Sequence, residues 1–255
     1  MEKNKENRRK FLAKAGLLTG ALFGAKTFAG ACKQSVAQTK GPFPPLHVDN
    51  KSTGNPGPKI SIQDRDVDLT QVQGRTNTAL GQIILLKGKV VDENCRPVSG
   101  AAVHMWQADN EGNYNHMRDV RPNPINLDPD FQYSGIAHTD SKGEFEFKTI
   151  VPKYYPIAFD ANNRPTIFRT AHLHFSVKQL GYRTLVTQSY FEGDILDEID
   201  EIRRLNKTDI ILTESTALGG RRQRKELKPL IVNFKKDLVS GIPTGNLELT
   251  LNRLV

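Results

Sequence analysis

Gly143-Glu144-Phe145-Glu146-Phe147-Lys148-Thr149-Ile150 alternates charged and apolar side chains with a period of two. Successive side chains on an extended strand point to opposite faces, so this stretch reads as a strand with one wet face and one packed face. Working outward, the same signal recurs. Residues 83–91 are β-rich, residues 92–97 read as a turn, and residues 101–108 read as another strand. Residues 170–178 alternate again, residues 184–191 form a further strand, and residues 229–234 and 247–251 supply two more. One short helix is expected around residues 196–205. Many short strands separated by Gly, Pro, Asn and Asp predict an all-β chain, a β-sandwich core with irregular loops and that short helix. There is no Gly-rich phosphate loop and no G-x-S-x-G elbow.

The chain has 255 residues, 37% hydrophobic, and a formal net charge of +8. The excess charge is concentrated. Residues 1–31 carry seven Lys or Arg against two Glu, a contribution of +5 that leaves +3 for the rest. The other basic spot, Arg221, Arg222, Arg224 and Lys225, has no aromatic residues interleaved with it. It reads as a solvated loop, and nucleic acid is not an expected partner.

Residues 1–31 read as an address. Arg8-Arg9-Lys10-Phe11-Leu12 is a twin arginine before an apolar stretch from Gly16 to Ala25, followed by small residues. This resembles a twin-arginine export signal, and the apolar stretch is shorter than the about 20 residues a membrane span needs. The expected location is therefore periplasmic, or membrane-anchored as a lipoprotein. Ala29-Gly30-Ala31 precedes Cys32, which makes Cys32 a candidate for a lipid anchor; Ser35-Val36-Ala37 offers another cut. With Cys32 lipidated or removed, Cys95 stands alone, and no disulfide framework or zinc-type cluster is expected. Residues 32–77, rich in Pro and Gly, read as a linker or an arm that wraps a core. Residues 78–255 read as the main domain.

The chemistry starts at Arg169-Thr170-Ala171-His172-Leu173-His174-Phe175. Residues two apart on a strand share a face, with Cα atoms roughly 6.6 Å apart, so His172 and His174 can converge on one metal ion. Leu173 and Phe175 between them imply that the other face is packed, which makes a rigid support. Two histidines do not complete a site. Asp140, Glu144 and Glu146 are carboxylate candidates, and the chain also has six tyrosines. Tyr155 precedes Pro156, which biases it toward an extended conformation, and Tyr114 follows the turn Asn110-Glu111-Gly112-Asn113. Tyr154 rivals Tyr155.

Five ordered elements carry a family resemblance. Met105-Trp106-Gln107-Ala108-Asp109-Asn110-Glu111-Gly112-Asn113-Tyr114 resembles the W-Q-A-N-x-x-G-x-Y element of intradiol ring-cleavage dioxygenases. Residues 139–150 resemble their T-D-x-x-G-x-Y/F-x-F-x-T-I strand. Tyr155-Pro156 resembles their Y-P, Arg169 to Phe175 their R-P-A-H-I-H-F, and residues 188–194 their Q-x-Y-F-E-G-D. The match covers residues 78–198 or so and is nearest the protocatechuate 3,4-dioxygenase branch. It implies a non-haem Fe3+ held by Tyr114, Tyr155, His172 and His174, with Tyr155 chosen over Tyr154 by the Tyr-Pro match. Two phenolates and a hydroxide neutralise a ferric ion, and hard oxygen donors suit it. The resemblance further implies a catechol-type substrate, O2 as co-substrate, and cleavage between the two hydroxyl-bearing carbons to a muconate-type diacid. Tyr155 corresponds to the tyrosinate that the substrate displaces. Arg169 would stabilise negative charge on the substrate, with Gln188 supporting it.

This chain departs from the family pattern in three places. Ile157 stands where Trp often follows Tyr-Pro, Thr170 stands for the Pro before Ala-His, and residues 158–168 differ in character. In the family, residues that grip a substrate often come from a partner subunit, so a homo-oligomer stays open. Two other readings remain. Residues 88–101 also look like the start of secreted β-sandwich modules, which makes a non-catalytic exported binding module the alternative. A zinc hydrolase using the same histidines would be colourless.

Overall fold

The computed structural model describes residues 32–120 and 126–254. The export-signal reading of residues 1–31 therefore lies outside the described residues. In chain order the elements are β1 (Ile83–Asp92), β2 (Ala102–Trp106), β3 (Ser134–His138), β4 (Glu144–Ile150), β5 (Tyr155–Phe159), β6 (Pro165–Arg169), β7 (His172–Lys178) and β8 (Leu185–Glu192). The helix α1 (Ile199–Asn206) follows, then β9 (Thr213–Ser215), β10 (Arg221–Gln223), β11 (Ile231–Asn233), β12 (Lys235–Lys236) and β13 (Pro243–Leu251).

Two sheets face each other, as the alternation predicts. One has the order β12-β13-β1-β4 and the other β11-β8-β7-β2-β3. β1 runs parallel to β13, with Leu85 beside Thr244, and antiparallel to β4, with Leu86 beside Phe147. The core between the sheets takes Ile84, Leu86 and Val90 from β1, Phe147 from β4, Val103 and Met105 from β2, and Leu173, Phe175 and Val177 from β7. Gly88 is forced by this packing: a Cβ there would collide with the Phe145 ring. A two-stranded hairpin, β5 with β6, sits outside both sheets, its register broken around Ala158.

Residues 32–77 lie against the sandwich. Leu69 is fully buried in the core, Val36, Ile60 and Ile62 pack on it, and Leu69 N–H donates to Lys148 O at 2.9 Å. The start of this segment is covalently fixed. Cys32 is disulfide-bonded to Cys95, their Cα atoms 5.1 Å apart, a separation within disulfide reach. This corrects two expectations. The two cysteines do pair, and a Cys32 sulfur bonded to Cys95 has no valence left for the thioether of a lipid anchor.

Candidate metal centre

β7 sets two imidazoles on one face. Leu173, Phe175 and Val177 turn into the core, so His172 and His174 must share the opposite face. Their Nε2 atoms lie 3.1 Å apart. β7 pairs with β2, which places Trp106 beside His174, and the two rings stack with centroids 4.9 Å apart.

Tyr114 reaches the same point from the loop after β2. The Asp109 carboxylate shapes that loop, with Oδ1 accepting from the N–H groups of Glu111 and Asn113 and Oδ2 from the Tyr133 hydroxyl. Asp119 Oδ2 then accepts from Tyr114 N–H at 2.8 Å. The Tyr114 Oη lies 3.1 Å from His174 Nε2 and 3.4 Å from His172 Nε2. Tyr155 opens β5, and its Oη lies 3.4 Å from His172 Nε2. Tyr154 instead packs its ring near Phe168 and under Lys153. The structure thus brings Tyr114, Tyr155, His172 and His174 together and leaves Tyr154 out. All four are buried. The carboxylate candidates are elsewhere: Asp140 caps the turn before β4, while Glu144 and Glu146 face solvent.

The protonation states suit a cation. Burial pushes both imidazoles well below the usual histidine range, His172 also through the nearby Arg169 and His174 also through His172 and Arg169. Both rings are therefore neutral. His172 Nδ1 donates to Thr170 O at 2.6 Å, so its Nε2 presents a lone pair to the cluster. Neighbouring donor atoms 3.1–3.4 Å apart are close enough to share one ion at the about 2.0–2.2 Å that nitrogen and oxygen ligands keep from a metal. Among the described residues no group of three His, Cys, Asp or Glu converges, so the oxygen donors of this cluster are phenols. Two imidazoles and two phenols are a hard, anion-capable set, and they fit a ferric ion.

Arg169 and Gln188 lie beside the cluster. Arg169 Nη2 donates to Gln188 Oε1 at 2.7 Å, and Arg169 Nε donates to Asp209 Oδ2 at 2.8 Å. Burial works against the arginine charge, but Asp209, Tyr155 and Tyr190 outweigh it and raise the pKa of Arg169. Gln188 Nε2 donates to Thr39 O, and the Tyr190 hydroxyl donates to Gln38 Oε1. Gly41, at φ +71°, comes so close that a Cβ would sit 3.2 Å from His174 Cε1. Phe43 packs on Tyr114 with ring centroids 5.1 Å apart. The sequence offers no signal for Asp209, marks Tyr190 only as part of the 188–194 motif, and marks the segment from Gln38 to Phe43 only by glycine and proline in a polar stretch, which describes a linker as well as an arm.

Comparison with known proteins names the class. A family model described as Dioxygenase matches residues 56–232, and the chain belongs to this family, the intradiol ring-cleavage dioxygenases. It is 40% identical over 139 residues to the protocatechuate 3,4-dioxygenase beta chain of Burkholderia cepacia, covering 54% of this chain and 56% of that one. It is 38% identical over 126 residues to the 6-chlorohydroxyquinol 1,2-dioxygenase of Cupriavidus pinatubonensis, covering 46% and 43%. The chain spans about half the length of these curated relatives. Among solved structures, it resembles the dioxygenase domain of a dioxygenase carbohydrate-binding protein fusion from Streptomyces sp. SirexAA-E. That likeness has a TM-score of 0.51 at 19% identity, covers 87% of this chain and 100% of that one, and speaks to the fold alone.

Proposed function

We propose that this protein is an intradiol dioxygenase that opens the ring of a catechol-type substrate with O2. The observation that carries the reading is the convergence of the buried side chains of Tyr114, Tyr155, His172 and His174, with neighbouring donor atoms 3.1–3.4 Å apart. These four residues would hold a non-haem Fe3+. When bound, the ion would draw electron density from a substrate dianion and make its ring reactive toward O2.

The chain's own residues do the rest. The neutral imidazoles supply lone pairs without adding charge. The phenols of Tyr114 and Tyr155 supply the negative charge that balances the cation. Tyr155 lies on the hairpin outside both sheets, where its Oη can leave the cluster and take up a proton from a substrate hydroxyl. Arg169, steadied by Gln188, offers further guanidinium N–H groups to negative charge developing on the substrate. In the overall reaction the bond between the two hydroxyl-bearing carbons breaks and both atoms of O2 enter the product. A muconate-type diacid balances this with no further reductant.

The twin-arginine segment and the Cys32–Cys95 disulfide both support an exported protein, since disulfides persist in oxidising compartments. The testing experiment is iron analysis, visible spectroscopy and O2 uptake over a panel of catechols. A red-brown protein with about one iron per chain that consumes O2 is expected, because tyrosinate bound to Fe3+ absorbs visible light. A chain that stays colourless after ferric reconstitution overturns the reading.

A further inference from the structure

Asp209 follows α1 and is fully buried. Both of its carboxylate oxygens are saturated. Oδ2 accepts from Arg169 Nε at 2.8 Å and from Thr170 N–H at 3.0 Å. Oδ1 accepts from the N–H groups of Ile211 and Leu212, both at 2.9 Å. The two groups on Oδ2 lead to the metal centre by different routes. Arg169 continues to Gln188 Oε1. Thr170 continues through its own carbonyl to His172 Nδ1. The Thr170 side chain is pinned as well, its hydroxyl donating to Asn206 Oδ1 at 2.7 Å while Asn206 Nδ2 donates to Phe191 O at 3.0 Å.

We infer that Asp209 is a positioning residue for the site. It fixes the Arg169 guanidinium beside Tyr155 and, through the Thr170 peptide, fixes the His172 ring with its Nε2 toward the cluster. A carboxylate suits both tasks. It neutralises an arginine that would otherwise be an uncompensated buried charge, and it accepts two N–H groups at one oxygen. An asparagine of the same shape keeps one acceptor oxygen and turns an NH2 toward whichever N–H groups that oxygen does not face. The catalytic part of this inference rests on the ferric reading above; the His172 part does not.

The test is a double-mutant cycle on the full chain with Asp209→Asn, Arg169→Met and the pair, measuring kcat per bound iron and KM. It is joined by exchange of the His172 Nδ1 proton, followed by NMR in metal-free protein. Asp209→Asn is expected to lower kcat per iron by about 10²-fold, the scale of a misplaced catalytic group, with KM changed less than about threefold. The pair should be no slower than Arg169→Met alone, because the aspartate acts on turnover largely through the arginine. His172 Nδ1 proton exchange should accelerate at least about tenfold as Thr170 loosens. A purely structural Asp209 would lower the folded fraction and leave kcat per iron and the exchange rate unchanged, which overturns the inference. If Asp209→Asn does not fold, the pair removes both charges and is compared with Arg169→Met: equal turnover supports the inference, and a further tenfold loss, on the order of one broken catalytic contact, overturns it. A colourless, inactive parent protein would sink the ferric reading, and proton exchange would still decide the role of Asp209.

Discussion

β4 and β7 are written in the same alternating code, yet their second faces meet different surroundings. On β4 the outward residues Glu144 and Glu146 are in water. On β7 the corresponding residues, His172, His174 and Ser176, are buried. The difference comes from what lies above each sheet. Over β7 run Gly41 and Phe43 of the N-terminal segment, the Tyr155 end of the hairpin, and the Tyr114 loop. The candidate site sits where a strand's polar face is roofed by chain, because burial keeps the imidazoles neutral and holds their lone pairs in a fixed place.

The largest expected break in this contrast is His174→Ala, which should abolish iron binding, visible colour and O2 uptake. The loss should be at least about 10³-fold in rate, given the several kcal/mol a metal centre contributes. Retained colour at one iron per chain would contradict the ligand set. Next comes the disulfide, which closes a 63-residue separation; reduction should cost about 4 kcal/mol on the chain-entropy scale. Denaturant melts with and without reductant check this, and equal midpoints would show that the N-terminal segment is held by its noncovalent contacts. Phe147→Ala, on the packed face of β4, should cost about 3–5 kcal/mol, while Glu146→Ala on its wet face should stay within about 0.5 kcal/mol. Similar losses at both positions would refute the assignment of faces.

A smaller effect is expected with pH. Burial lowers His47 to about 3 and His104 to about 4, in both cases with help from nearby cationic or histidine groups. The unfolded chain, with histidines near 6.5, then binds more protons than the folded one. Stability should be full above about pH 6.5 and fall as pH drops toward 4. His104→Gln should flatten that slope in metal-free protein, and an unchanged slope would mean that other groups govern it.

Much of this was legible in the chain. β4 and β7 follow from alternation, β1, β2 and β8 from β-rich runs between turns, and the helix Ile199–Asn206 overlaps the residues expected to form it. β3 escaped because Ser134-Gly135-Ile136-Ala137-His138 has little bulk to alternate; a Cβ at Gly135 would collide with the Asp66 carbonyl. The hairpin β5–β6 escaped because Pro156, Pro165 and the polar residues between them read as an insertion. In the candidate site, spacing makes the histidine pair possible and the resemblance to the family motifs points to the tyrosines. The roof over them was illegible, since Gln38 meets Tyr190 only through the tertiary fold. Asp209 was hidden for the same reason, being a lone aspartate beyond a helix that meets Arg169 in space.

The parallel pairing of β1 with β13 has a kinetic consequence. Leu85 cannot find Thr244 until nearly the whole domain has been synthesised. Until then β1 offers an open edge beside Leu86 and Val90, a template for pairing with another chain. Contacts of such long sequence separation form slowly. The interval between synthesis of β1 and arrival of β13 is therefore when this protein is most exposed to aggregation, and when a chaperone would help it most.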